Sequence, residues 1–184
     1  MKFIYLLRKP IDRIISCYIH RYERGYTDLP IGKAMVEERI YIDLTRYYTQ
    51  IIPFITKFGR DRVLLIDFED LISSRQESLN RVASFLGVDA GKLHAYENVH
   101  ENISIGGYKL HPRFDAPTGS MRLIQRHIPF LRKRITDNSN RLFSQKPTLE
   151  PRFQEMITRM LTLKIGALQQ LMDKDLSGWM QVEA

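Results

Sequence analysis

The run KFIYLL at positions 2–7 is followed by Arg8, Lys9 and Pro10, and then by apolar residues at 11, 14, 15, 18 and 22. No other feature constrains the fold as strongly. A short unbroken apolar run is what a strand covered on both faces of a parallel sheet requires, because helices bury both of its sides. Pro10 suits the first turn of a helix, where its missing N–H is not needed. The spacing that follows makes one apolar helical face, and Gly25 supplies a C-terminal stop. The chain passes from buried strand to helix within a single turn.

The same alternation continues. YTDLPIG (26–32) is a turn-rich connection, and residues 40 to 58 predict a second helix carrying Tyr47, Ile51, Ile55 and Phe58 along one side, with a kink at Pro53. VLLIDF, within a strand predicted over 62–68, is a second buried run entered through a polar turn. Ser74 and Glu77 predict a capping box, and SLNRVASFLG (78–87) an amphipathic helix closing on Gly87. Strand, helices, strand, helix is the order of an α/β protein with a parallel sheet. The expected fold has three layers: the strands at 2–7 and 62–68 as neighbours or near-neighbours, and helices on both sides.

Residues 89 to 120 are rich in Gly, Pro, Asn and Ser and too irregular for a long element. Two helical stretches follow, the second with Phe153, Met156, Ile157, Met160, Leu161 and Ile165 on one face. No repeat, low-complexity stretch or long linker divides the chain, so residues 1–184 are expected to form a single domain.

Lys and Arg outnumber Asp and Glu by 28 to 21, and the net charge of +7 points to an anionic partner unless these charges are simply solvated. The single Cys17 excludes a disulfide framework and a thiolate metal cluster. No apolar run approaches the roughly 20 residues of a membrane span, and no signal peptide is evident, so the default expectation is the cytoplasm.

In open parallel sheets, ligands sit beyond the carboxyl ends of strands, where the next helix points free N–H groups and a partial positive charge. Arg8 stands at such a strand end and Ser16 two turns into the helix behind it. Together they can offer one phosphate a forked charged donor and a neutral hydroxyl. On spacing alone a second reading stays open, in which Arg8 pairs with Asp12 and Ser16 fills a small gap.

LLRKPIDRIISCYIH (6–20) resembles the 3′-phosphate-binding segment of sulfotransferases that use 3′-phosphoadenosine-5′-phosphosulfate (PAPS), a buried strand ending in Arg, then x-Pro-x-x-Arg-x-x-Ser-x-Tyr and often x-His. Arg8, Pro10, Arg13, Ser16, Tyr18 and His20 occupy those places. The stretch from RYYTQ to FLGVD is similar to the family's Tyr-x-x-Gln/His helix, its F/Y-E-D-L strand and its FLG helix, and DLSGW to a closing signature of bacterial members. The resemblance implies a P-loop-type sulfotransferase fold, PAPS as sulfuryl donor and adenosine 3′,5′-bisphosphate as product. The acceptor would be a hydroxyl or amine of a carbohydrate, lipid or small metabolite, attacking sulfur in line. Arg8 and Ser16 would hold the 3′-phosphate, with Arg13 and Tyr18 serving packing. His20 would face either acceptor or solvent, and Glu69 and Asp70 would organise loops.

The resemblance also defines what these 184 residues lack. Sulfuryl transfer needs a cradle for the phosphosulfate, positive charge on the leaving oxygen and a base for the acceptor. The family places a Gly- and Lys-containing loop for this before the 3′-phosphate segment, and no such Gly/Lys/Thr loop occurs here. SIGGYKL (104–110) is similar instead to a variable loop near the nucleotide, with Lys109 a candidate phosphate or acceptor contact. The expectation is an N-terminally truncated sulfotransferase domain, its C-terminal two-thirds, inactive alone and with an apolar face or sheet edge uncovered, a route to dimerisation. The alternatives are a pseudoenzyme or part of a split protein that binds nucleotide or a partner without catalysis. A polyanion binder using RLIQRHIPFLRKR (122–134) is a third, but no nucleic-acid motif accompanies it.

Overall fold

A computed structural model describes residues 1–91, 143 and 146–181. Two strands, β1 (Phe3–Leu7) and β2 (Val63–Asp67), pair in parallel with Phe3 opposite Val63 and Leu7 opposite Asp67. Helix α1 (Pro10–Glu23) follows β1 directly, then α2 (Ile31–Glu37), α3 (Ile40–Asp43) and α4 (Tyr47–Phe58) lead to β2. Beyond it lie α5 (Phe68–Ser73), α6 (Arg75–Leu86) and the long α7 (Pro151–Met172). The fold is α/β, a parallel sheet flanked by helices, as the order of elements predicts. The segments at 92–142, with SIGGYKL, Lys109 and RLIQRHIPFLRKR, lie outside the described residues.

Each element follows from local sequence, with some departures. α1 buries Ile11, Ile14, Ile15, Tyr18 and Ile19. It ends in a Schellman turn: Gly25, at φ 69°, donates its N–H to the Tyr22 carbonyl (2.9 Å) and Tyr26 donates to Arg21 (2.8 Å). A side chain at Gly25 would be strained by that left-handed conformation.

The helix predicted over 40–58 is two helices, and the break is not at Pro53, which lies inside α4 on an exposed turn. It falls at 44–46, where the Thr45 hydroxyl donates to the Ile42 carbonyl (2.7 Å) and the Gln50 amide donates to the Asp43 carbonyl (2.5 Å). Side chains thus take up carbonyls that a continuous helix would have used.

The capping box at Ser74 also fails. Ser74 precedes α6, but its hydroxyl makes no capping bond. The side-chain cap lies seven residues earlier, where the Asp67 carboxylate accepts from the Glu69 N–H (3.1 Å) and starts α5 immediately after the strand.

The core runs from β1 and β2 through α1 to α7. α7 buries Gln154, Ile157, Leu161, Ile165 and Leu168, a narrower stripe than expected, and Met156 and Met160 lie outside it, 40% and 48% exposed. The last turn, Ser177–Met180, buries Leu176 and Trp179, and the Trp179 ring meets Tyr47 edge-on at 6.1 Å. β1 is not covered on both faces. Phe3 packs on Phe54 and Phe58 of α4 (5.1 and 4.8 Å between centroids), whereas Ile4 and Leu6 on its other face are 44% and 46% exposed.

Candidate functional site

The open face of β1 and the flank of α1 enclose a cleft of about 1020 Å³. Arg8 and Ser16 both line it, as do Arg13 and His20. The strand end carries Arg8 to the mouth of the sheet, and helical periodicity brings Ser16 and His20, one turn apart, to the same wall.

Among the described residues, no carboxylate pairs with Arg8. Its guanidinium lies over the Phe68 ring, 4.8 Å from the centroid, and its Nε is buried with no hydrogen-bond partner. Asp12, the alternative partner, instead receives Lys146 Nζ at 3.2 Å. Pairing of Arg8 with Asp12 is therefore not what fixes it. A buried, unpartnered donor on a permanent cation is costly unless an anion completes it, so Arg8 fits a phosphate. The Ser16 hydroxyl is half-buried and makes no hydrogen bond among the described residues, which leaves it free to donate to the same anion.

Phe68 is placed by a clamp that sequence reasoning missed. Lys174, just past α7, donates to Asp67 Oδ2 (2.6 Å) and Asp70 Oδ1 (2.5 Å). Asp67 is only 3% exposed and also caps α5, so the clamp fixes the strand end from which Phe68 projects. Burial alone would lower the Lys174 pKa, but hydrogen bonds and charge from the two carboxylates outweigh it and raise it. Arg60 adds a second tie, donating to the carbonyls of Val63 (2.5 Å) and Leu171 (2.8 Å). Asp70 thus has the structural role expected of it; Glu69 is exposed.

The other candidates divide. Tyr18 is packing, buried with its hydroxyl donating to the Leu29 carbonyl (3.0 Å). Arg13 is not: it is exposed on the cleft wall, because position 13 falls off the buried stripe of α1. His20 is exposed and in the cleft, and its pKa is lowered by partial burial first and then by Arg24, Arg13 and Arg21. Burial pushes the Cys17 thiol up, so it stays protonated at neutral pH. Tyr47 lines the cleft against the Arg8 main chain, and burial pushes its hydroxyl up to about 12. Tyr5 donates its hydroxyl to Gln50, which holds two cleft-lining side chains together.

A parallel strand end, an arginine whose Nε has no hydrogen-bond partner and a hydroxyl from the following helix thus line one cleft of an α/β fold. The family described as the sulfotransferase domain matches residues 1–169, and the chain belongs to it. Among solved structures, the chain is similar in fold to the crystal structure of a sulfotransferase from Alicyclobacillus acidocaldarius. That match has a TM-score of 0.61 at 18% identity and covers 98% of this chain and 57% of that one. The chain thus spans little more than half the length of that relative. A search of curated proteins finds no match. Among the described residues, no helix is long and apolar enough to cross a membrane.

Proposed function

We propose that this chain supplies the 3′-phosphate half of a PAPS-dependent sulfotransferase site. Arg8 and Ser16 bind the phosphate that distinguishes PAPS and adenosine 3′,5′-bisphosphate from AMP-like nucleotides. The observation that carries the reading is the Arg8 guanidinium, stacked on Phe68 with its Nε buried and unpartnered at the rim of the cleft. Family membership supports sulfuryl transfer as the chemistry. When bound, PAPS supplies the activated sulfuryl group. Arg8 and Ser16 then anchor the nucleotide at its ribose end, while the cleft holds the acceptor, a hydroxyl or amine of a carbohydrate, lipid or small metabolite.

The 184 residues contain no Gly/Lys/Thr loop to cradle the phosphosulfate and neutralise the leaving oxygen. We therefore propose that this chain by itself binds nucleotide in a cytoplasmic setting without turning it over.

The test is an NMR titration with adenosine 3′,5′-bisphosphate. The Arg8 Nε–H and the Ser16 amide are expected to shift most, with Phe68 ring protons following. Shifts confined to other parts of the chain would contradict the reading.

A further inference from the structure

The cleft has more positive charge than one phosphate needs. Four arginines line it (Arg8, Arg13, Arg21 and Arg24), and one carboxylate, Glu23. Arg21 is neutralised by Glu38 at 2.5 Å. Arg13 and Arg24 have no ion-pair partner among the described residues, and both are exposed. Ser16 and His20 on α1 and Arg24 at its C-cap follow one another at helical spacing. Ser16 and Arg24 stand eight residues apart, so their backbones are separated by about 12 Å along the helix. A phosphate seated between Arg8 and Ser16 does not reach the far end. Beyond the Schellman turn at Gly25, Tyr26 also lines the cleft, 60% exposed, with the Arg21 guanidinium 5.7 Å from its ring centroid. An exposed aromatic ring in the same cleft as an unpaired guanidinium, Arg24, suits a ring-shaped ligand that carries a negative charge.

Resting on the nucleotide reading above, we propose that the acceptor is anionic, with its carboxylate or ester sulfate held by His20 and Arg24 and its ring against Tyr26. The nucleotide phosphate occupies the strand end of α1 and the acceptor's charge the C-terminal end, so the reacting hydroxyl or amine lies between them. A neutral acceptor would leave Arg13 and Arg24 without a counter-charge among the described residues.

Binding is measured on the whole chain saturated with adenosine 3′,5′-bisphosphate, using three probes: an aryl glucuronide, glucose 6-sulfate and a neutral aryl glucoside. The glucuronide or the sulfate is expected to bind at least tenfold more tightly than the glucoside, and whichever binds better identifies the charged group as carboxylate or sulfate. Arg24→Gln is expected to remove most of that preference while leaving nucleotide affinity within twofold. Lys33→Gln, on α2 away from the cleft, is expected to change neither. Equal or absent binding of the charged and neutral probes would overturn the proposal. So would a parallel loss of nucleotide affinity in Arg24→Gln, since Arg24 would then belong to the nucleotide site. A preference for anionic probes that persists in a chain showing no 3′-phosphate selectivity would support this inference and overturn the nucleotide reading alone.

Discussion

Arg8 combines three properties that rarely coincide: a permanent charge, a buried unpartnered Nε and an aromatic platform. Losing a charge-assisted hydrogen bond costs about 1.5–3 kcal/mol, so Arg8→Ala should weaken adenosine 3′,5′-bisphosphate binding about tenfold to a hundredfold, and Ser16→Ala less. Fluorescence competition with a labelled nucleotide reads both. Spacing alone leaves the pairing with Asp12 open, because helical periodicity cannot say which cation reaches a carboxylate; Lys146, distant in sequence, takes it. His20 makes a second residue-scale test. Burial and the arginines around it hold its pKa below 6.5, so its imidazole should titrate below that value in the free chain. An anion bound beside it favours the charged form, so the glucuronide should move the midpoint upward in a proton-NMR titration. A depressed His pKa also means that folding loses stability as pH falls through 6.5 toward the folded value.

At the scale of elements, the β1–α1 junction was legible because its signals are local: an apolar run, Pro at the helix start, Gly at its end. The parallel placement of β1 and β2 as neighbours or near-neighbours was legible too, since two buried runs joined by helices leave few arrangements; their register was not. The break at 44–46 and the cap at Asp67 were not. Each depends on which side chain meets which backbone group in space, and no periodicity reports that. Lys174 shows the limit plainly, since its clamp spans more than a hundred residues of sequence. Lys174→Met leaves the nearly buried Asp67 without its cation. Because Lys174 is 30% exposed, the cost is set at about 1–3 kcal/mol rather than that of a fully buried pair. Urea unfolding should show it as a lower midpoint with little change in slope. The folded Lys174 pKa is raised above 10.5, so the clamp's contribution is complete below that pH and is lost as pH climbs through the folded value. Trp179→Ala, which empties a site against Tyr47, should cost about 3–5 kcal/mol.

For the whole molecule, we propose nucleotide binding at the strand end without sulfuryl transfer by these 184 residues alone. Labelled-sulfate transfer from PAPS to sugars, phenols and lipids should be undetectable with this chain alone, because removing one preorganised donor costs about 10²–10³ in rate and a general base about 10²–10⁴. Clear turnover would mean that His20, Glu69 or Lys109 does chemistry not assigned to it. The central claim, that the strand end reads the 3′-phosphate, is tested most directly by calorimetry of the whole chain with adenosine 3′,5′-bisphosphate and with AMP. The account predicts at least tenfold tighter binding of the bisphosphate, abolished by Arg8→Gln. Equal affinity for the two nucleotides, or a preference that survives Arg8→Gln, would contradict it.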